Sequence, residues 1–260
     1  MRMFTFHRCL LLSLIGAMLL SLSGCYTVPV TGRSSFMLVG SEEEMSLGLQ
    51  AFSEVRKSTP VSSDTAVNNR VRRVGDTIAR VSAYPDWNWE FVVFDDPTTV
   101  NAWCLPGGKV GVYTGLLPYT RTDAELATVM AHEIGHAVAR HGAERMSQEM
   151  VLATGESVVV GSVADKNTEI AKVAYGDGSQ LFVSLPYSRK MEYEADRIGL
   201  MYMARAGYDP REAVTFWQRF AEANKGGKPP EWLSTHPADD KRVEQIKLLL
   251  PDAIKEYEQQ

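Results

Sequence analysis

The chain is poor in cysteine, in histidine and in long apolar runs, and each scarcity excludes something. Three cysteines stand in 260 residues: Cys9, Cys25 and Cys104. Cys9 lies in the N-terminal leader and Cys25 at its end. Cys104 is therefore alone in the mature chain, and no intrachain disulfide can form there. In an oxidising compartment that leaves a buried thiol or an occasional intermolecular bridge. Lys and Arg number 27 against 32 Asp and Glu, a net charge of −5 with no concentrated basic stripe, which argues against nucleic acid as a partner. Beyond the leader no apolar run approaches the ~20 residues that span a bilayer, so Val158-Val159-Val160-Gly161 reads as core or cleft helix. The sequence has no internal repeat and no long low-complexity tract. With 45% apolar residues and about 220 positions after the leader, it suits one sizeable globular core.

The leader carries an address. Arg2 and Arg8 form a positive segment, and Leu10 to Leu22 an apolar one too short and wrongly flanked for a permanent span. It ends in Leu22-Ser23-Gly24-Cys25, which looks like a bacterial lipobox with Cys25 as the lipidated first mature residue. Tyr26 stands where an Asp would signal inner-membrane retention. A lipid anchor in the outer membrane, facing the periplasm, is expected. The resulting division is a signal peptide over 1–24, a lipidated tether over 25–40 (Val28 to Val39, with Pro29 and Gly32, reads as linker) and one domain over 41–260.

Of only five histidines, two fall in His132-Glu133-Ile134-Gly135-His136, an H-E-x-x-H pattern inside Thr122 to Met146, which reads as one helix. Histidines four apart lie one turn above each other on a helix, so both imidazoles reach one metal ion. Glu133, about 100° round the axis, touches a metal-bound water without being a ligand. Two imidazoles and one carboxylate with a position left for water describe a catalytic zinc site. Thr122 and Glu125 supply a capping box, and Leu126, Val129, Met130, Ala137 and Val138 an apolar stripe. Gly135, between the histidines, lets another element approach closely. The elongated metzincin pattern fails, because Ala139 and Gly142 stand where its Gly and third His belong. His141 reads as a helix-end residue, favourable near the carbonyl end of the dipole.

The third ligand must come from elsewhere. Glu192 and Asp196 are four apart at the start of a helical run from Ser188 to a stop at Ala206-Gly207. One of the pair binds metal while the other accepts the free ring N–H of a ligating histidine, with Glu192 the stronger candidate ligand. Glu194 points some 200° from Glu192 and reads as a solvated surface charge. Elsewhere Glu42 to Arg56, Ala66 to Ser82, Arg211 to Ala223 and Asp239 to Leu250 read as helices. Trp89 to Phe94, Val100 to Leu105 and Lys109 to Tyr113 read as strands, Val100 to Leu105 being an edge closed by the Pro106-Gly107-Gly108 turn. Asn101, Ala102, Trp103 and Cys104 on that edge are candidates to pair with an extended peptide. Gly226 to Pro230 reads as a mobile segment and Pro251 to Gln260 as a tail that packs or frays.

These motifs, together with Val100-Asn101-Ala102-Trp103-Cys104-Leu105-Pro106-Gly107-Gly108, Thr114-Gly115-Leu116-Leu117 and Thr235-His236-Pro237 with Arg242, resemble metallopeptidase family 48, the gluzincins that include HtpX and the CAAX prenyl proteases. The resemblance runs from Ser41 to Pro251 and is nearest to the soluble lipoprotein-like members. It implies a mainly helical α+β, zincin-like domain with a small sheet and one Zn2+ per chain. It also implies His132, His136 and Glu192 as ligands, Glu133 as general base and acid, Asp196 behind a ligand, and His236 facing the zinc from a loop. Trp103-Cys104 departs from the Phe-Ala common in relatives, which touches the cleft wall rather than the chemistry.

The implied activity is a zinc metalloendopeptidase cleaving polypeptides, misfolded or unassembled envelope proteins among them, in envelope quality control. The oxyanion donor is left open between His236 and Arg242. His236 has a second expected role as a switch that ligates zinc at rest and swings aside in action. Rival readings are a chaperone-like or binding lipoprotein with a vestigial zinc site, disfavoured by the presence of Glu133, and a cell-wall amidase.

Overall fold

The computed structural model describes residues 24–160, 187–224, 230–236 and 240–260. The apolar leader to residue 23, the end of the Val158–Gly161 run and the segment 226–229 lie outside the described residues or their described side chains. Strands β1 (Cys25–Thr27) and β2 (Ser34–Phe36) form an antiparallel hairpin that pairs Cys25 with Phe36. Helices α1 (Ser41–Ser58) and α2 (Thr65–Val81) follow, then β3 (Glu90–Phe94), β4 (Ala102–Leu105) and β5 (Lys109–Tyr113). A 3-10 turn over Thr114–Tyr119 leads into α3 (Asp123–Ala139) and α4 (His141–Val160). The chain then builds α5 (Arg189–Arg205), α6 (Arg211–Ala223), the short α7 (Glu231–Thr235) and α8 (Asp240–Tyr257). It is a mainly helical α+β arrangement.

The three-stranded sheet has the order β3-β5-β4, with β3 parallel and β4 antiparallel to β5. Among the described residues β4 is therefore an edge, as its sequence position suggested. Side chains alternate across the sheet. Ala102, Cys104, Val110 and Val112 pack with α2 and α3, whereas Trp103, Leu105 and Tyr113 pack with Leu47, Ala51, Phe52 and Val55 of α1. Gly107 and Gly108, at φ of 82° and 83°, make the β4–β5 turn that other residues would strain.

Three expectations change. The run from Thr122 to Met146 is two helices, because Arg140 takes left-handed geometry at φ 58°. The cost, about 1–2 kcal/mol, is offset by Arg140 Nε donating to Glu44 Oε2 at 2.6 Å and Nη2 to the Val39 carbonyl at 3.0 Å. The stretch read as linker is packed: Val28 is fully buried, Met37 and Val39 are buried, and the Tyr26 hydroxyl donates to the Val138 carbonyl at 2.6 Å. The tail after Pro251 stays helical to Tyr257, with Ala253 fully buried and Glu256 accepting from Arg205 at 2.7 Å. Apart from α7, which no pattern in the sequence announces, and α4, which runs on past Met146 to Val160, the remaining helices and strands lie within two residues of their expected bounds.

Candidate metal centre

Helix α3 begins on the expected capping box, Glu125 N–H donating to Thr122 Oγ1 at 3.2 Å and Thr122 N–H to Glu125 Oε2 at 3.3 Å. Its apolar residues do more than line a stripe, since every residue from Glu125 to Ala139 is buried. β4 of the sheet, α2, α4, α5 and α6 all pack against it. The approach of α5 rests on two glycines. A Cβ on Gly135 would stand 2.9 Å from the Ala195 carbonyl oxygen, and one on Gly199 would stand 3.0 Å from the His132 nitrogen. Backbone meets backbone at both points, and this seats the Glu192–Asp196 face against His132 and His136.

Four side chains converge there. His132, His136, Glu192 and His236 each offer a ligand atom within 4.8 Å of the others, and all four are buried. His132 Nε2 lies 3.1 Å from His136 Nε2 and 3.2 Å from His236 Nδ1. Glu192 Oε1 lies 3.0 Å from His236 Nδ1 and 3.3 Å from His136 Nε2, with Oε2 3.5 Å from His132 Nε2. These separations fit a tetrahedron whose edges are about 3.3 Å, the size set by metal bonds of ~2.0–2.1 Å. The far ring nitrogens are already engaged, His132 Nδ1 with Asp196 Oδ1 at 2.9 Å and His136 Nδ1 with His141 Nδ1 at 2.9 Å. Both Nε2 atoms thus turn to one point, an arrangement suited to a cation. The residues present fit zinc, with His236 in the fourth place.

The electrostatics agree. Burial and Arg242 oppose charge on His132, yet Asp196 and Glu192 outweigh them and hold its pKa up at about 9. The pocket favours positive charge at that spot. Burial outweighs Glu192 at His136 and keeps that imidazole well below its usual value, in the neutral form a ligand needs. Burial alone would raise Glu192, but His236 and Arg242 hold it well below the carboxylate range and keep it ionised. Arg242 is fully enclosed. Its Nε and Nη2 donate to the two oxygens of Asp196 at 2.8 Å each, and its Nη1 stands 2.9 Å from Glu192 Oε2. The guanidinium also lies 3.7 Å over the Trp217 ring.

Glu133 borders the cluster with its Oε1 3.6 Å from His236 Nε2. That oxygen accepts from Trp232 Nε1 at 2.7 Å, and Trp232 stacks on Trp217 at 4.8 Å. Tyr187 stacks on His136 at 4.0 Å. Of the edge residues, Cys104 lies on the α3 side, its thiol pushed well up by burial and by Glu133, while Trp103 faces α1. Asn101 is buried, and its Oδ1 accepts from Ala102 N–H at 2.9 Å. Cys25 is exposed.

Two readings are corrected. His141 does not sit at a helix C-terminus: it opens α4, is fully buried, and turns to His136. Glu194 is not a solvated charge. The N-terminal hairpin covers its side of α5, and it accepts from His141 at 3.0 Å, Arg33 at 2.7 Å and Thr31 at 2.6 Å. Sequence reasoning also passed over Trp232 and Tyr187, whose partners are remote in the chain. Only the position of Trp232, four residues before His236 on one helical face, hinted at a shared surface.

The profile of peptidase family M48 matches residues 65–249. The mitochondrial metalloendopeptidase OMA1 of Schizosaccharomyces pombe is 38% identical over 232 residues, covering 87% of this chain and 66% of the relative. Human metalloendopeptidase OMA1 is 33% identical over 242 residues, 87% of this chain and 46% of the relative. The beta-barrel assembly-enhancing protease of Yersinia pestis is 29% identical over 222 residues, 83% of this chain and 46% of the relative. The chain thus spans about half to two thirds of the length of these relatives. The matched span holds all four converging side chains, Glu133 and Asp196, and the chain belongs to peptidase family M48.

Proposed function

We propose that the protein is a zinc metalloendopeptidase of the bacterial envelope, resting in a closed state, that acts on misfolded or unassembled envelope proteins. The observation that carries the chemistry is the convergence of His132 Nε2, His136 Nε2 and Glu192 Oε1 beside Glu133. The envelope assignment draws on the lipobox at Cys25 and on the bacterial relatives named for β-barrel assembly. Relatives named as mitochondrial share the endopeptidase name but not that compartment. Among the described residues no helix is long and apolar enough to cross a membrane; the tether in this reading is lipid at Cys25.

His132, His136 and Glu192 would hold the metal, which when bound would lower the pKa of water and polarise the scissile carbonyl. Glu133 takes the proton of the attacking water and passes it to the leaving amine. The antiparallel register, with Tyr113 N–H donating to the Asn101 carbonyl, turns the backbone groups of Val100, Ala102 and Cys104 away from β5, the Ala102 N–H being held by Asn101 Oδ1 and the Ala102 carbonyl and Cys104 groups facing the outer edge. An extended peptide pairs there, which favours polypeptide over cell-wall amide substrates. The intact base and ligand set speak against a vestigial site.

In the resting form α7 occupies each of these places. His236, just after α7, stands among the ligand atoms where it would take a fourth place on the metal, the Trp232 indole holds Glu133, and the Trp232 N–H donates to the Val100 carbonyl at 3.1 Å on the strand edge. Movement of α7 frees all three, and His236 set aside becomes the donor to the oxyanion. Arg242, the other candidate donor, is engaged with Asp196 and Glu192 and serves to position them. The decisive test is Glu133→Gln, which should keep zinc and lose ~10²-fold or more in kcat/KM on a casein-derived peptide. His136→Ala should lose the zinc itself. Full hydrolysis by Glu133→Gln would remove the mechanism.

A further inference from the structure

His132 and His136 are braced differently. His132 Nδ1 meets a carboxylate directly, Asp196, which Arg242 holds in turn. His136 Nδ1 meets another imidazole, His141 Nδ1 at 2.9 Å, and His141 Nε2 then meets Glu194 Oε2 at 3.0 Å. Glu194 is gripped by the N-terminal hairpin through Thr31 Oγ1 at 2.6 Å and Arg33 Nε at 2.7 Å, while Arg33 also binds Glu144 through both terminal nitrogens at 2.9 and 2.7 Å. An ionised carboxylate only accepts, so the proton on that contact belongs to His141 Nε2. His141 is enclosed, and of two ring nitrogens 2.9 Å apart one must donate; with His136 Nε2 turned to the cluster, the His136 proton sits on Nδ1 and His141 Nδ1 is its acceptor. That fixes the tautomer of His136 in which Nε2 is free to ligate.

The backbone is bent to make this contact. On an unbroken helix His141 would lie about 140° round the axis from His136. The left-handed Arg140, held by Glu44 and the Val39 carbonyl, redirects the chain so that the two rings meet at 4.9 Å between centres.

We propose that His141 is a positioning residue for the zinc site, relaying the acceptor charge of Glu194 to His136 and thereby making zinc affinity depend on the N-terminal hairpin through Arg33. The inference rests on the zinc reading above and extends it to residues outside the ligand set. Interposed imidazole and carboxylate do for His136 what Asp196 does for His132.

The test is zinc affinity of the purified chain, measured by competition with a chromophoric chelator, alongside melting of the zinc-free protein. His141→Leu should weaken zinc by ~10- to 100-fold. His141→Gln, whose amide can accept from His136 and donate to Glu194, should recover most of that loss. Arg33→Met, altering only the hairpin end of the relay, should weaken zinc by a smaller factor and carries the test if His141→Leu does not fold. Wild-type affinity in His141→Gln and Arg33→Met together with no loss in a folded His141→Leu would overturn the proposal and leave His141 a packing residue. So would equal weakening by His141→Gln and His141→Leu, because the hydrogen bonds would then be immaterial. Failure of the unaltered protein to bind zinc would instead defeat the metal reading itself.

Discussion

Trp232→Phe tests the resting state at its most exposed assumption, that the base is locked by an indole. Trp232 is fully buried, and its Nε1 donates to Glu133 Oε1 at 2.7 Å while its ring stacks on Trp217. Phenylalanine retains an aromatic face against Trp217 but has no donor. A hydrogen bond to an ionised acceptor contributes about 1.5–3 kcal/mol, and the smaller ring loses further contact, all of it in the closed form. At about 1.4 kcal/mol per factor of ten, the closed-to-open ratio should fall by roughly 10- to 100-fold. While the open form is a minority, kcat/KM for a quenched fluorescent peptide rises by the same factor. His236→Ala releases the metal side of the same contact, so it should also alter kcat/KM while the zinc content stays at about one per chain. Both variants must be assayed beside their zinc content. Trp232→Phe with full zinc and an unchanged or lower kcat/KM would refute the lock.

Cys25→Ser should yield a protein that no longer fractionates with membranes. Unaltered membrane association of that variant would show that lipid at Cys25 is not the tether. The acid limb of stability should depend on Glu125. Burial would raise its pKa, but Arg219 and the backbone N–H groups of Arg121 and Thr122 outweigh burial and hold it below its ordinary 4.5. Because the folded value is depressed, the stabilisation is present above 4.5 and is lost as pH falls through the folded value. Zinc-free Glu125→Gln should therefore melt with a shallower slope than the unaltered chain between about pH 6 and about pH 3. Parallel slopes would count against the cap as the titrating group.

What the sequence made legible was what local periodicity and spacing encode. The H-E-x-x-H pair, the Glu192–Asp196 pair and the helices bearing them follow from side chains three and four apart, and the structure seats both pairs on facing helices. Gly135 announced a close neighbour, and the Ala195 carbonyl is that neighbour. The misses share the opposite property. Arg140 breaks the helix through partners at Glu44 and Val39, about a hundred residues earlier. Glu194 is buried by a hairpin that reads as tether because its strands are three residues long and the turn joining them holds Pro29 and Gly32. Trp232 finds Glu133 across 99 positions. No window along the chain contains those pairings.

The two arginines that brace the site come from opposite ends of the domain, and this constrains how the closed state can open. Arg33 anchors Glu194 and Arg242 anchors Asp196, both acids standing on α5 but facing different ways because they are two residues apart on a helix. Arg242 lies six residues after His236 and its Nη1 reaches the His236 carbonyl at 3.3 Å, so brace and switch are joined. If α7 carried Arg242 with it, Asp196 and Glu192 would be left buried and ionised without their cation, a loss of about 3–5 kcal/mol for such a pair. That penalty exceeds the one hydrogen bond holding Glu133. Opening by the cheaper route leaves α8 seated on α5 and displaces α7 with His236. On the proposed reading, His236 would then leave the cluster to serve the oxyanion while His132, His136, Glu192 and the groups behind them stay still.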